Sequence, residues 1–183
     1  MDYRVRLVVD EQVSLIHPTM SMAEDIFRIV DTNREHLRPY LDFVDATQSV
    51  TDEENYFKLK LTGEANGTDR LFLIEYEGTI VGNIDLHFIS ALHQRAEIGY
   101  MLGKEYTKKG IMTRSVKKIC ALAFEEMGLN KLSIVADVEN QPSNQVALSC
   151  GFTFVGVDRQ DTNMYGELRD MNRYALLKEE FNQ

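Results

Sequence analysis

The sequence predicts a mixed α/β fold in which helices pack on one β-sheet. Three observations lead to this prediction: helix patterns in the first third of the chain, β-rich runs in the middle, and alternating strand and helix patterns after residue 110. The chain has 183 residues, of which 44% are hydrophobic, and this is enough to close a sizeable core. We expect a single domain covering residues 1–183.

Two helix patterns come first. In "HPTMSMAEDIFRIVDTNREHLRPYL" four apolar residues are spaced for one helix face: Met22, Ile26, Ile29 and Val30. A break is expected near Pro39. The stretch "SVTDEENYFKLKL" predicts a second helix that is opened by Ser49 or Thr51, with Glu53 and Glu54 near the positive end of its dipole.

A β-meander is predicted next. "LTGEANGTDR", residues 61–70, is rich in Gly, Asn, Thr and Asp and is expected to be a loop. "LFLIEYEGTIVGNIDLHFI" contains two β-rich runs hinged near Glu77 and Gly78, which predicts an antiparallel hairpin. "RAEIGYML" predicts a third strand.

The last third alternates between helices and strands. Apolar residues recur every three or four positions from Gly110 to Met127, and Gly128 is a stop signal, so we predict a helix there. "KLSIVADV" predicts a strand, "SNQVALSCGF" a short helix capped by Ser143 or Asn144, and "TFVGVDRQ" and "MNRYALLKEEF" two final strands. The 110–127 helix should cross between strands of one sheet.

Composition excludes several classes of protein. A net charge of −9 and a pI near 4.9 argue against a general nucleic-acid binder. No apolar run is long enough for a membrane span, and the first residues lack a signal-peptide layout, so we expect a soluble, cytoplasmic protein. Because Cys120 and Cys150 are far apart in sequence and no CxxC or HxxxH occurs, neither a disulfide framework nor a zinc site is expected.

The segment from Lys104 to Lys118 is a basic island, with six basic residues and one acidic residue in an acidic chain. It contains "YTKKGIMTRSV", in which a glycine turn precedes a helix. Free N–H groups at a helix start, together with its dipole, favour phosphate binding there. The alternative is that the lysines simply cover a solvated helix end. No Walker loop and no GxGxxG motif is present.

Four stretches together resemble a known family: "AEIGYML", "KKGIMT", "FEEMGLNKLSIVADVEN" and "NQPSNQVALSCGFTFVG". Their order and spacing are similar to those of the GNAT acetyltransferases, specifically the RimJ/RimL-type group that acetylates N-terminal amines of ribosomal proteins. The resemblance implies a mixed, mostly antiparallel β-sheet flanked by helices. It also implies acetyl-CoA as co-substrate and no metal.

The resemblance assigns roles to particular residues. The strand that offers backbone groups to the thioester and pantetheine corresponds to Ile98, Gly99, Tyr100 and Met101. The pyrophosphate loop corresponds to Lys108, Lys109, Gly110, Ile111, Met112 and Thr113, and it departs from the family pattern at Thr107 and Met112. Asn140 matches a pantetheine contact and Ser143 a candidate acid near the sulfur. Both residues could instead form an ordinary turn and helix cap.

The reaction requires a neutral attacking amine. An α-amino group, with an ordinary pKa of about 7.7 to 8.0, needs less help than a lysine side chain near 10.4. Glu97 is the leading candidate for the general base, with Asp85 and His87 as rivals, although each could simply be a solvent-facing strand residue. Direct transfer is expected, because the two cysteines fit a core better than a nucleophile.

Three functions remain open at this point. The first is acetylation of a protein N-terminus, ribosomal proteins being the implied acceptors. The second is acetylation of a polyamine, an aminoglycoside or another small amine, and the third is a CoA-binding sensor without turnover. The family also implies a homodimer or higher homo-oligomer, formed through edge strands such as the last two.

Overall fold

The computed structural model describes residues 5–181, which form one eight-stranded sheet with helices on both faces. The strands are β1 Arg6–Val8, β2 Val13–Ile16, β3 Arg70–Tyr76, β4 Thr79–Ser90, β5 Arg95–Leu102, β6 Lys131–Asp137, β7 Thr153–Met164 and β8 Glu167–Leu177. The helices are α1 Ala23–Thr32, α2 Arg34–Leu37, α3 Val50–Asn66, α4 Ile111–Ala121, α5 Gln141–Ser149 and α6 Lys178–Phe181. This confirms the predicted mixed, mostly antiparallel fold.

The strand order is β1-β2-β3-β4-β5-β6-β8-β7, and every neighbouring pair is antiparallel except β5 and β6. Helix α4 makes the crossover between these two parallel strands, as the sequence predicts. It continues into a π-helical turn at Leu122–Glu126 before the left-handed Gly128 ends it. The β3–β4 hairpin and the β5 strand also lie where they were predicted.

Both faces of the sheet are covered by helices. Residues of one strand alternate between the faces, so Phe72 and Ile74 of β3 pack with α4 and α5, whereas Leu71 and Leu73 pack with α1 and α3. The predicted stripe of α1 belongs to the second cluster, with Ile26 and the neighbouring apolar positions buried. The backbone of the sheet therefore separates two core clusters, one on each face.

The first two strands were not predicted. The turn between β1 and β2 is closed by Asp10, whose Oδ1 accepts hydrogen bonds from the backbone N–H groups of Gln12 (2.8 Å) and Val13 (2.9 Å). Such an Asx turn lets a short hairpin form without an Asn-Gly or Asp-Gly signal. The hairpin pairs with β3 through β2.

The predicted loop at residues 61–70 is wrong for its first part, because α3 continues to Asn66 and ends at Gly67 with φ 76°. Gly63 remains helical although the composition of residues 61–70 favours a loop. The Asp69 side chain packs so closely over Gly63 that a Cβ there would overlap it. Ser49 precedes the helix, and Asp52 accepts hydrogen bonds from the N–H groups of Gln48 and Ser49.

The expectation that both final strands lie at the sheet edge is half wrong. β7 is the edge strand, but β8 lies between β6 and β7 and is paired on both sides. Among residues 5–181, no helix has the length and apolar character needed to cross a membrane.

Candidate functional site

β5 and β6 separate after only three paired positions. Arg95, Ala96 and Glu97 of β5 face residues 131–133 of β6, and within the described chain the pairing ends there. β5 then runs to Leu102 alongside β4, while β6 runs to Asp137 alongside β8. The two strands thus leave a wedge-shaped opening in the sheet, which we call the splay, with a strand edge on either side.

The predicted thioester strand forms one side of the splay. Ile98 and Met101 point into the two cores and are 2% and 5% exposed. The backbone groups of Ile98 face the splay, whereas those of Met101 face β4. Gly99 lies opposite Asp85 in the β4–β5 register. A Cβ on Gly99 would come within 2.8 Å of Asp85 Oδ1 and 3.1 Å of His87 Cε1, so a side chain would displace these polar groups.

The turn before α4 has the backbone that the phosphate prediction requires. Lys108 and Gly110 have φ angles of 61° and 69°, and Gly110 is the residue immediately before the helix. Glycine adopts this left-handed conformation without strain, and it leaves the first-turn N–H groups of the helix open to an anion. Met112, the departure from the family pattern, packs its side chain into the core.

The basic island divides into two groups. Lys109 Nζ lies 5.5 Å from the Tyr76 ring centre and 5.2 Å from that of Tyr106, and Arg114 pairs with Asp10 at 2.6 Å. Arg114 therefore holds the start of α4 against the β1–β2 turn, whereas Lys109 packs on aromatic rings of β3 and of its own turn. The four other lysines of the island form no ion pair within residues 5–181, and they remain available to attract an anion: Lys104, Lys108, Lys117 and Lys118.

The start of α5 forms the other side of the splay. Asn140 Oδ1 accepts a hydrogen bond from the Ser143 N–H at 3.3 Å, which makes Asn140 the helix cap that the sequence left as an alternative. Ser143 Oγ lies 3.0 Å from the Tyr100 hydroxyl on β5. This contact spans the splay from one side to the other.

Asn144 fixes the position of this helix start. Its amide group donates to the carbonyl oxygens of Asp137 (2.9 Å) and Asn140 (2.8 Å). Its Oδ1 accepts from Tyr174 Oη at 2.7 Å and from Asn172 Nδ2 at 2.8 Å. The sequence offered Asn144 only as a cap; it instead links α5 to β6 and β8.

Glu97 projects from the opposite face of the sheet, into a line of alternating charges. Its Oε1 lies 3.3 Å from His87 Nε2 and its Oε2 lies 3.3 Å from Arg173 Nη1. His87 Nδ1 continues the line to Asp85 Oδ2 at 3.1 Å. The complete series crosses α3 and five strands or their flanks: Asp69, Lys60, Asp85, His87, Glu97, Arg173 and Asp158.

This charge line determines the protonation of His87. Burial alone would lower the pKa of His87, but hydrogen bonds and charges from Asp85 and Glu97 outweigh it and raise the pKa to about 9. His87 is therefore a cation at neutral pH. Asp85 is shared between His87 and Lys60, and it lies at the edge of a cavity of about 510 Å³ beside α3.

Of the three base candidates, Glu97 is the one beside the splay, because it is the last β5 residue paired with β6. Asp85 and His87 stand behind it on β4 as its supports. Arg173 and Lys60 were missed in the sequence. Side chains alternate between the two faces along β8, so Tyr174 lies on the α4–α5 face and Arg173 on the face of Glu97, and this pattern could have indicated Arg173. No local sequence pattern could have indicated Lys60.

A second cavity, of about 330 Å³, lies where β6 ends. The tip of the β7–β8 hairpin closes it, because Tyr165 Oη donates to the Leu41 carbonyl at 2.7 Å and the Arg38 guanidinium lies 4.1 Å from the Tyr165 ring centre. Arg169 is surrounded by three carboxylates, and two of these are exposed: Asp137, Glu139 and Glu167. The rim of this cavity is therefore acidic.

Both cysteines are free and buried. Burial raises the pKa of the Cys150 thiol to about 11 and that of Cys120 further still, so neither forms a thiolate readily. Within residues 5–181, no three His, Cys, Asp or Glu side chains come together as metal ligands.

Comparison with known proteins agrees with this geometry. Residues 12–153 match the acetyltransferase (GNAT) domain family. The chain is 31% identical to "Putative ribosomal N-acetyltransferase YdaF" of Bacillus subtilis, covering 94% of this chain and 95% of the relative. It is 27% identical to spermidine N(1)-acetyltransferase of Escherichia coli, over 62% and 61% of the two chains.

Solved structures share the whole fold. The microcin C7 self-immunity acetyltransferase MccE, in complex with acetyl-CoA and AMP, superposes with a TM-score of 0.88 at 25% identity, covering 92% of this chain and 94% of that one. These relatives are acetyltransferases, and they leave the expectation of a sensor without turnover unsupported. The chain belongs to the GNAT family of acetyltransferases, and acetyl-CoA is its co-substrate.

Proposed function

We propose that the protein transfers the acetyl group of acetyl-CoA directly to the N-terminal α-amine of a protein, with ribosomal proteins as the acceptor class. One observation carries the proposal. Glu97 stands on one face of the sheet and Ser143 on the other. The splay between β5 and β6 is the opening through which a bound substrate could contact both residues. A base and a hydrogen-bond donor can then act on one reacting centre from opposite sides.

The residues at the splay suit acetyl-CoA, which supplies an activated acetyl thioester. The first-turn N–H groups of α4 offer a pyrophosphate site together with Lys108, which has no ion-pair partner within residues 5–181. The side of β5 that faces the splay offers the backbone N–H and C=O groups of Ile98 to an extended arm and to the acetyl carbonyl. Asn140 caps α5 with its side chain, so its contribution to the arm would come from the helix start it stabilises.

A carboxylate at the position of Glu97 favours an acceptor amine that is already partly neutral. A carboxylate is a weak base, and both oxygens of Glu97 are in contact with His87 and Arg173. Such a base suits an α-amine, with an ordinary pKa of about 7.7 to 8.0, better than an alkylamine near 10.4. In this proposal Glu97 takes the proton that the attacking amine loses, directly or through water.

The acidic rim supports a cationic acceptor. Glu139 and Glu167 are each 71% exposed at the cavity beside the end of β6, where a charged N-terminus could approach. Around this cavity the carboxylates outnumber the guanidinium groups, because Asp45 neutralises Arg38 while Asp137, Glu139 and Glu167 together face Arg169. The relative that is called a ribosomal N-acetyltransferase supports a protein acceptor.

Acetylation of a polyamine is the second candidate. The relative named spermidine N(1)-acetyltransferase supports it, and so does the same acidic rim, since polyamines are cations too. It differs from the first candidate in the basicity of the acceptor, since polyamines carry alkylamines.

An acceptor panel separates the two candidates. Purified protein and acetyl-CoA are incubated with ribosomal-protein N-terminal peptides, the same peptides with blocked N-termini but a free lysine, and spermidine, and thiol release is measured. We expect turnover only with free N-termini. Efficient turnover with spermidine, or equal turnover with blocked peptides, would reject the α-amine proposal.

Replacing Gly110 tests the pyrophosphate site. Gly110→Ala places a Cβ at φ 69° and beside the helix start, so we expect the KM for acetyl-CoA to rise roughly tenfold. Gly128→Ala is a matched control, because Gly128 has φ 68° and the same open surroundings at the other end of the helix. Both variants should lose similar stability, and an equal rise in KM in both would contradict the assignment.

Replacing Glu97 tests the base. Glu97→Gln should lower kcat by roughly 100-fold with little change in the KM for acetyl-CoA, because the amine loses its proton acceptor. Asp158→Asn serves as the control, since Asp158 is the other partner of Arg173 and lies 2.6 Å from its Nε. If Asp158→Asn reduces kcat as much as Glu97→Gln, the effect belongs to the charge line and Glu97 is not the base.

His87 gives the protein a pH-dependent stability. Its pKa is raised from 6.5 to about 9, so its stabilising contribution is complete below pH 6.5 and is lost as the pH rises through 9. We expect His87→Gln to be less stable than the wild type by about 2 kcal/mol at pH 6, with the gap closing by pH 10. Urea unfolding at both pH values measures this, with the exposed His93→Gln as control; a constant gap would be inconsistent with a cationic His87.

A further inference from the structure

The Tyr100 side chain reaches from β5 to the start of α5. Within residues 5–181, both hydrogen-bonding contacts of its hydroxyl go to Ser143: the hydroxyl oxygen lies 3.0 Å from Ser143 Oγ, where either oxygen can be the donor, and 3.4 Å from the Ser143 carbonyl oxygen. Ile98, Tyr100 and Leu102 alternate toward the α4–α5 face, so the Tyr100 ring is anchored in that core while its hydroxyl reaches across the splay. The family resemblance assigns a role only to the backbone of Tyr100. The contact of its side chain with Ser143 is a separate observation from the structure.

Tyr100 is suited to donate a hydrogen bond and unsuited to lose its proton. Burial raises the pKa of the Tyr100 hydroxyl well above its ordinary value, so the group stays an O–H donor throughout the neutral range. The titratable groups near it are Cys150, on the far end of α5, and Tyr174 of β8. Cys150 also stays protonated, because burial raises the pKa of its thiol to about 11.

A hydroxyl that accepts a hydrogen bond at its oxygen has its own hydrogen free for another acceptor. Tyr100 has a single hydroxyl hydrogen, and the shorter of its two contacts, 3.0 Å, assigns that hydrogen to Ser143 Oγ and not to the carbonyl oxygen at 3.4 Å. The Ser143 hydrogen is then directed away from Tyr100. The Ser143 N–H is already bonded to Asn140, so the side chain is held at both its backbone and its oxygen. A donated hydrogen bond also polarises the serine O–H and makes it a stronger donor.

We propose that Tyr100 is a positioning residue that orients the Ser143 hydroxyl toward the sulfur of CoA and strengthens its hydrogen bond to the leaving thiolate. This rests on the proposed direct transfer. The amine nitrogen forms a bond to the acetyl carbon and loses its proton to Glu97. The C–S bond then breaks, its electron pair passes to sulfur, the Ser143 O–H donates a hydrogen bond to the thiolate, and the thiolate takes its proton from solvent. Tyr100 keeps its proton throughout and supplies no atom to the products.

The test that does not depend on the acceptor is the titration of bound CoA. The thiolate absorbance of CoA in complex with the wild type, Tyr100→Phe and Ser143→Ala is followed against pH. A hydrogen bond to the thiolate favours the charged form, so we expect the midpoint of the bound thiol to be higher by about one pH unit in both variants than in the wild type. An unchanged midpoint in Tyr100→Phe would overturn the proposal.

Turnover gives a second readout, with whichever acceptor the wild type acetylates best. Tyr100→Phe should lower kcat roughly tenfold without changing the KM for acetyl-CoA, and should have no further effect in the Ser143→Ala background. Tyr174→Phe is the matched control, because it removes a hydroxyl bonded to Asn144 in the same helix turn. The effects of Tyr174→Phe and Ser143→Ala on kcat should be additive. If the effects of Tyr100→Phe and Ser143→Ala are additive as well, the proposed coupling between Tyr100 and Ser143 is rejected.

The two claims can fail separately. If no peptide is acetylated while the thiol midpoint still shifts in Tyr100→Phe, the acceptor proposal fails and the role of Tyr100 stands. If Tyr100→Phe does not bind CoA, the thiol midpoint is measured in Ser143→Thr in its place, because threonine keeps a hydroxyl that can contact Tyr100. A midpoint for Ser143→Thr near that of the wild type supports the proposal, and a midpoint equal to that of Ser143→Ala rejects it.

Discussion

The site depends on one feature of the sheet: β5 and β6 pair for three residues and then diverge. Parallel pairing requires a crossover, and here α4 makes it, so the start of this helix comes to lie beyond the end of β5. Because β5 is held by β4 and β6 by β8, both strands remain ordered where they no longer pair with each other. Ordered strand edges and a helix start are then presented together without a flexible loop.

In the proposed mechanism, the splay also lets polar groups from opposite faces of the sheet act on one substrate. In a closed sheet, Glu97 and Ser143 would be separated by the backbone layer. Each face supports its own group through contacts that are independent of the other face: His87 and Arg173 hold Glu97, and Tyr100 with Asn140 holds Ser143. Preorganisation of this kind reduces the reorganisation that the reaction would otherwise require.

Much of this arrangement could be predicted from the sequence, because it rests on local patterns. The hairpin at Glu77 and Gly78, strand β5 and helix α4 all follow from periodicity and glycine positions. The loop predicted at residues 61–70 failed because Asp69 packs over Gly63, a contact that composition does not reveal. The first hairpin was missed because one aspartate closes its turn.

The candidate site shows the same division. The sequence nominated Lys108 to Thr113 and Ser143 through the family resemblance, and Glu97 because it borders the predicted thioester strand. Their partners could not be predicted, since Arg173 reaches Glu97 only through the order β5-β6-β8 and Tyr100 contacts Ser143 only across the splay. The most direct test of the proposed site is a crystal structure of the protein with CoA. We expect the sulfur in the splay within hydrogen-bonding distance of Ser143 Oγ and the pyrophosphate at the start of α4; CoA bound elsewhere, or a sulfur remote from Ser143, would contradict this assignment.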